Sequence, residues 1–299
     1  MKILNKLKNT LLELKVNHIG AELSQVKSVK HGTEFMWQAN PDIWANHAPN
    51  LFPIVGALKN DTYNLDGKTF SLPKHGFIRS NKNIVLESKS ENELVYKLTY
   101  NEETLKQFPF KFNYYVIYKL IENTLDITYK VENIDNKTMY FSLGGHPAFN
   151  CPLYKDEKYS DYSLEFEKTE SSKTHLLDLQ QGLVSDMNEA VFTSAKAIQL
   201  QPDLFNKDAL IFKDLTSRSV TLKHNTKGPI LSMHYNDFNY FGIWAKPNAS
   251  YVCLEPWLGI ADHINTSQDF KTKDGIITLE PNKSFKASYQ IEIALNHLV

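Results

Sequence analysis

Hydrophobic residues recur at every second position along much of this chain, whereas helical spacings are scarce. Leu12, Leu14 and Val16 alternate with polar neighbours, and His18-Ile-Gly-Ala-Glu-Leu23 leads into a second short strand. Val95 to Tyr100 reads as another strand. The clearest hairpin puts Phe112, Tyr114, Val116, Tyr118 and Leu120 on one face, opposite Leu125, Ile127, Tyr129 and Val131, with Glu122-Asn-Thr as the turn. Near the end, Phe285, Ala287, Tyr289, Ile291 and Ile293 share one side of a strand running from Phe285 to Ala294. Tyr251 to Leu254 reads as a buried strand with Glu255 at its end, and Pro256 is predicted to stop it.

Helical signals are local. Asn101 to Phe108 has an N-cap, acids in its first turn and Pro109 as a stop, so one or two turns are expected. Asp203 to Asp208 suits another short turn, and the polar stretch Ser171 to Met187 suits a long surface excursion. No linker, repeat or low-complexity block divides the chain. The pattern predicts one all-β domain of packed sheets over residues 1–299, as a sandwich or a barrel.

Charge narrows the function. The formal net charge is −1, which gives no reason to expect capture of nucleic acid or of an anionic membrane. Arg79 and Arg218 are the only arginines, so a phosphate clamp is not advertised. Cys151 and Cys253 lie far apart in apolar settings, as expected of free buried thiols in a reducing compartment. Met1 to Thr10 scatters charges among its apolar residues, unlike a secretory leader, and no uncharged run is long enough to span a bilayer. A soluble cytoplasmic protein is the expectation.

Three stretches set histidine or carboxylate beside special backbone residues. In Pro73-Lys-His75-Gly-Phe-Ile-Arg79, Gly76 permits a sharp turn at His75 and Arg79 can reach back over it. In Leu143-Gly-Gly-His146-Pro, two glycines permit close approach of a ligand and Pro147 stiffens the exit. Tyr251-Val-Cys-Leu-Glu-Pro-Trp257 holds Glu255 on a rigid edge beside a flat indole. Each histidine alone is more often structural; the three stretches together point to a site. Two chemistries suit it: a metal held by two histidines and a carboxylate, for which no tight local spacing occurs, and metal-free general acid–base catalysis.

Phe52-Pro-Ile-Val-Gly56, His75-Gly-Phe-Ile-Arg79, Gly145-His-Pro-Ala-Phe149, Lys207-Asp-Ala-Leu-Ile-Phe212 and Cys253-Leu-Glu-Pro-Trp257 occur in this order. The ordered set resembles the aldose 1-epimerase (galactose mutarotase) family, closely its LacX-type branch, from about Asn17 to Ala294. The resemblance implies a galactose mutarotase-like β-supersandwich and a cytoplasmic isomerase that interconverts the α and β anomers of a free aldohexose such as galactose. It implies Glu255 as general base on the anomeric hydroxyl, His146 as general acid on the ring oxygen, His75 as a hydrogen-bonding partner near that oxygen and Asp208 as a holder of sugar hydroxyls. Trp244 and Trp257 would wall the cleft. No metal or cofactor is implied, the partner is a small sugar, and the chain is expected as monomer or homodimer.

One departure stands out. Where better-known galactose mutarotases carry a sugar-contacting arginine, the matching position here is Ala57, and Lys59 or Arg79 is the expected substitute. Lysine lacks the planar fork of arginine, so substrate preference need not follow the reaction. Alternatives are a hexose-6-phosphate 1-epimerase, a sugar-binding or sensing protein without turnover, and, most remotely, a metal-dependent isomerase. The paired Glu255 and His146 argue against a pure binder, which needs no acid–base pair.

Overall fold

The structure, a computed structural model, describes residues 4–299, so the first three positions of the Met1–Thr10 stretch lie outside it. The predicted hairpin forms in the expected register: strands Phe112–Ile121 and Thr124–Asn133 pair Leu120 with Leu125, Tyr118 with Ile127, Val116 with Tyr129 and Tyr114 with Val131. All eight side chains are buried, so the alternation in sequence is the alternation between core and surface. The turn is tighter than expected, with only Glu122 and Asn123 outside the strands. Asn101 caps the short helix Glu102–Gln107, its side chain accepting from the Thr104 N–H at 2.9 Å.

This hairpin belongs to a nine-stranded antiparallel sheet, in which Thr124–Asn133 is also flanked by Ser284–Ile293. Against it packs an eight-stranded sheet whose central members are Tyr240–Trp244, Tyr251–Leu258 and Leu143–Gly145. Leu4–Lys8, Leu12–Asn17 and Leu23–Ser28 form a separate three-stranded sheet. The molecule is thus all-β, a sandwich with few short helices. Among the described residues no helix is long and apolar enough to cross a membrane.

Asn50 registers the two layers. It pairs with Gly145 in the eight-stranded sheet, and its side chain reaches into the core. There its Oδ1 accepts from the Tyr129 hydroxyl at 2.9 Å, while Nδ2 donates to the carbonyls of Gly20 at 2.9 Å and Ala21 at 3.1 Å. A buried amide satisfied on both ends is directional where apolar packing is not. It therefore fixes the height of the strand that leads into His146.

Three expectations change. Pro256 does not end a strand: Tyr251–Leu258 is continuous and buried at every position. The Leu254 N–H donates to Pro147 at 3.1 Å, so Pro256, two residues on, directs its missing donor to the same side. That side is the interruption between Leu143–Gly145 and Ala148–Asn150, where no ladder bond is lost. The polar stretch 171–187 is not a loose excursion, since Thr174–Asp178 and Leu183–Glu189 form an antiparallel pair. Its tip is exposed, but Leu177, Leu183 and Val184 are buried, and those few apolar positions suffice. Finally, the glycines before His146 serve packing: a Cβ on Gly144 would meet the Trp257 ring at 2.7 Å, and one on Gly145 the Tyr289 hydroxyl at 2.6 Å.

Asn50→Ala removes the acceptor of the buried Tyr129 hydroxyl and the donor to the Gly20 carbonyl, at about 1–3 kcal/mol for each such group, while the Ala21 carbonyl keeps the Tyr118 hydroxyl at 2.6 Å. A loss on the order of 3 kcal/mol in urea unfolding at unchanged m is expected; a loss below about 1 kcal/mol would show that the sheets find their register without it.

Candidate active site

The eight-stranded sheet carries a cleft of about 440 Å³ on its outer face. Cys253, Glu255 and Trp257, each two residues apart on one strand, share that face. Trp257 lies across its neighbours, since a Cβ on Gly242 would meet its ring at 2.5 Å. Glycines on both flanking strands thus let the indole lie flat as the floor of the cleft. Glu255 stands beside it, mid-strand, with 1% of its surface exposed. It is a core carboxylate, not the strand-end group expected.

His146 enters where the neighbouring strand breaks, and its Nε2 lies 3.1 Å from Glu255 Oε2. The pair is close but not aligned as a hydrogen bond, and both Glu255 Oε2 and His146 Nδ1 lack a protein partner. The imidazole is enclosed by rings: Trp44 stacks on it at 5.1 Å, Trp244 meets it edge-on at 5.9 Å and His75 at 5.6 Å. This enclosure sets the protonation. Burial pushes the Glu255 carboxyl well above its ordinary 4.5, opposed by the charge of Lys74, and pulls His146 down to about 3.

His75 is positioned by strain in its own backbone. It has φ +67° and Gly76 φ +70°, and a Cβ on Gly76 would sit 2.2 Å from the Phe52 carbonyl oxygen, so glycine is required there. The turn lets His75 bond the backbone of Gly56 twice: its N–H donates to the Gly56 carbonyl at 2.8 Å, and its Nδ1 accepts from the Gly56 N–H at 3.1 Å. A backbone N–H can only donate, so Nδ1 carries no proton and Nε2 does. Burial, then the nearby charge of His146, holds His75 well below its ordinary value, and it is a neutral donor.

Of the residues predicted from sequence, Glu255, His146, His75, Asp208, Arg79, Trp244 and Trp257 all line the cleft. Lys59 does not. Its Nζ donates to the Ile264 carbonyl at 2.8 Å and its N–H to Asp262 at 3.0 Å, tying the segment after Gly56 to a neighbouring loop. Ala57 is buried, and Arg79 is therefore the arginine of the cleft. Sequence reasoning missed Lys74 and Trp44. Lys74 precedes His75 directly, and Trp44 is a tryptophan in an otherwise polar, irregular stretch, which was the available signal. Among the described residues neither Lys74 nor Arg79 forms a salt bridge, so the cleft holds two cations facing one aspartate and one buried carboxyl.

Residues 4–292 match the family model described as aldose 1-epimerase. Protein LacX of Lactococcus lactis subsp. lactis is 35% identical, over 96% of this chain and 98% of that protein. Among solved structures, a galactose mutarotase related enzyme from Lactobacillus acidophilus superposes with a TM-score of 0.89 at 36% identity, covering 98% of this chain and 97% of the other. A galactose mutarotase-like protein from Lactobacillus casei gives a TM-score of 0.91 at 28% identity, covering 98% and 100%.

Burial of Glu255 has a sign that can be measured. A carboxyl whose folded pKa lies above its unfolded 4.5 stabilises the fold fully only below that pH, and the contribution is lost as pH rises toward the folded value. Glu255→Gln should therefore raise the melting temperature at pH 7, with the gain shrinking as pH falls to about 4.5. A lower melting temperature at pH 7 would mean that the carboxylate holds the fold together.

Proposed function

The chain belongs to the aldose 1-epimerase family, and on that premise we propose that residues 1–299 act as one cytoplasmic mutarotase domain interconverting the anomers of a small aldose. The observation that carries the reading is the buried Glu255–His146 contact of 3.1 Å at the floor of the cleft. Catalysis of ring opening needs a base at the O1 hydroxyl and an acid at the ring oxygen; both oxygens are bonded to one acetal carbon, so two groups in contact can reach them together.

Glu255 removes the proton from O1 while His146 delivers one to O5, and the C1–O5 bond breaks to give the aldehyde. Rotation about C1–C2 then presents the other carbonyl face. For closure His146 takes the proton back from the O5 hydroxyl, and Glu255 returns one to O1. The pair enters as carboxylate and imidazolium and stands as acid and imidazole opposite the open chain; its proton count never changes. Burial favours the neutral arrangement, which matches the open-chain step. His75, neutral with Nε2–H, donates to the sugar without competing for that proton. Asp208 and Arg79 hold hydroxyls, and Trp257 and Trp244 offer flat faces to the ring.

Polarimetry of freshly dissolved α-D-galactose and α-D-glucose tests this directly. The native protein should speed the approach to equilibrium, and Glu255→Gln should lower turnover by about a hundred- to ten-thousandfold. Because burial pulls His146 down to about 3, kcat/KM corrected for the uncatalysed rate should not fall as pH is lowered through 6.5, where an ordinary imidazole takes up a proton. An acid-side fall centred there would mean that the imidazole of the pair is not held low, and would overturn its role.

Lys74 and Arg79 favour a second reading, in which the aldose carries an anionic substituent such as a phosphate. If so, a hexose 6-phosphate should exceed the free hexose in kcat/KM, and Arg79→Gln should remove roughly ten- to a hundredfold of that preference, the worth of a charge-assisted hydrogen bond. Equal rates on both sugars, unchanged in Arg79→Gln, would leave the neutral aldose as substrate.

A further inference from the structure

Behind the acid–base pair lies a group that the reaction does not use. Cys253 precedes Glu255 by two positions on the same strand and shares its face, and its thiol is free and buried. Donor atoms of His146, Cys253 and Glu255 all lie within 4.8 Å of one another. We propose that these three side chains form a binding site for a thiophilic divalent cation, Zn²⁺ or Cd²⁺, and that the bound ion silences the cleft.

The donor set is one that such ions select. Imidazole, thiolate and carboxylate together suit zinc, whereas Mg²⁺ and Ca²⁺ prefer oxygen alone. In a tetrahedral site with bonds of about 2.0–2.1 Å to nitrogen and oxygen, those two ligands stand about 3.3 Å apart. His146 Nε2 and Glu255 Oε2 stand 3.1 Å apart, so one edge of the tetrahedron is nearly formed. Glu255 Oε2 is buried and has no protein hydrogen-bond partner, leaving a lone pair for a cation. The strand fixes both Cys253 and Glu255, since Cys253 pairs with Trp244 and Ala148 on its two sides and Glu255 pairs with Gly242. Only three protein ligands converge, so a fourth position remains toward the cleft that His146 and Glu255 line.

The site is built for moderate affinity. Metal-binding histidines normally donate their second nitrogen to a carboxylate or carbonyl, and His146 Nδ1 has no such partner. The inhibitory consequence rests on the acid–base reading given above. An ion bound to Glu255 and to His146 Nε2 occupies the lone pairs that would take the O1 proton and carry the O5 proton, so both roles stop together. Cys253 itself touches no reacting atom in that scheme.

Titration of the metal-stripped full-length protein with Cd²⁺ and Zn²⁺ tests the proposal with two independent readouts. One is the ultraviolet thiolate-to-cadmium charge-transfer band, which reports binding whether or not the protein is active; the other is the polarimetric rate. The native protein should bind one ion, show the band, lose its rate acceleration and regain it with chelator, while Mg²⁺ does nothing. Cys253→Ser, with Cys253→Ala as a second variant should serine disturb the strand, should keep its turnover, lose the band and need at least tenfold more Zn²⁺ for the same inhibition. Cys151→Ser should behave as the native protein. A band that persists without Cys253 or vanishes without Cys151, equal inhibition of native protein and Cys253 variants, or no binding at all would overturn it. If the protein never accelerates mutarotation but the band follows Cys253, the site stands and the acid–base reading falls.

Discussion

Burying one carboxylate in the middle of an unbroken strand is the constraint on which the cleft depends. An ion taken out of water costs several kcal/mol even after the protein relaxes around it. Glu255 has no hydrogen bond on Oε2 to offset that cost, so it is held by its backbone and not by its charge. The ladder bonds of Tyr251–Leu258 to Tyr240–Trp244 on one side and to two short strands on the other supply that rigidity. A loop could not do the same, because it would let the carboxylate turn outward to water.

The neighbours follow from this placement. Trp257 must share the face of Glu255, and an indole of that size lies flat only because Gly144 and Gly242 stand on the flanking strands. The strand Leu143–Gly145 must break after Gly145, since Pro256 on the facing strand offers no N–H, and the break is where His146 and Pro147 leave the sheet. Imidazole and carboxyl therefore meet because the ladder has a gap opposite the proline. Trp44, Trp244 and His75 then close around the imidazole, and their exclusion of water lowers its affinity for a proton.

Much of this was legible in the sequence. Alternation located the hairpin Phe112–Asn133 and the last long strand because one face of each meets a core and the other meets water or a polar edge. Glu255, His146, His75 and Asp208 stood out in the sequence as motifs in order, and the fold gathers all four at one cleft. What failed to show was non-local. That Pro256 sits inside a strand depends on a gap in another strand more than a hundred positions away, and that Lys59 is engaged depends on a carbonyl 205 positions on. Trp44 lies in a segment without periodicity, and Lys74 reads as an ordinary exposed lysine until the turn at Gly76 brings its neighbour into the cleft. The stretch 171–187 misled because a hairpin edging a cleft needs few apolar residues.

The two cations give the site its direction. Lys74 favours the ionised form of Glu255, while both Lys74 and Arg79 disfavour a charged His146. With the enclosure of the imidazole, this pushes the two members of the pair unequally: the carboxylate gains a partner charge, and the imidazolium gains only aromatic faces. The full ion pair is thus the less favoured of two arrangements with the same proton count, and in the proposed reaction a sugar whose O5 accepts from His146 and whose O1 donates to Glu255 would supply the interactions the ion pair lacks. A third ligand of that pair, the thiol of Cys253, waits one strand step below, so the same unsatisfied lone pairs that a sugar would engage are open to a cation as well. The geometry that suits the pair to the proposed proton transfers is the same geometry that would admit a cation.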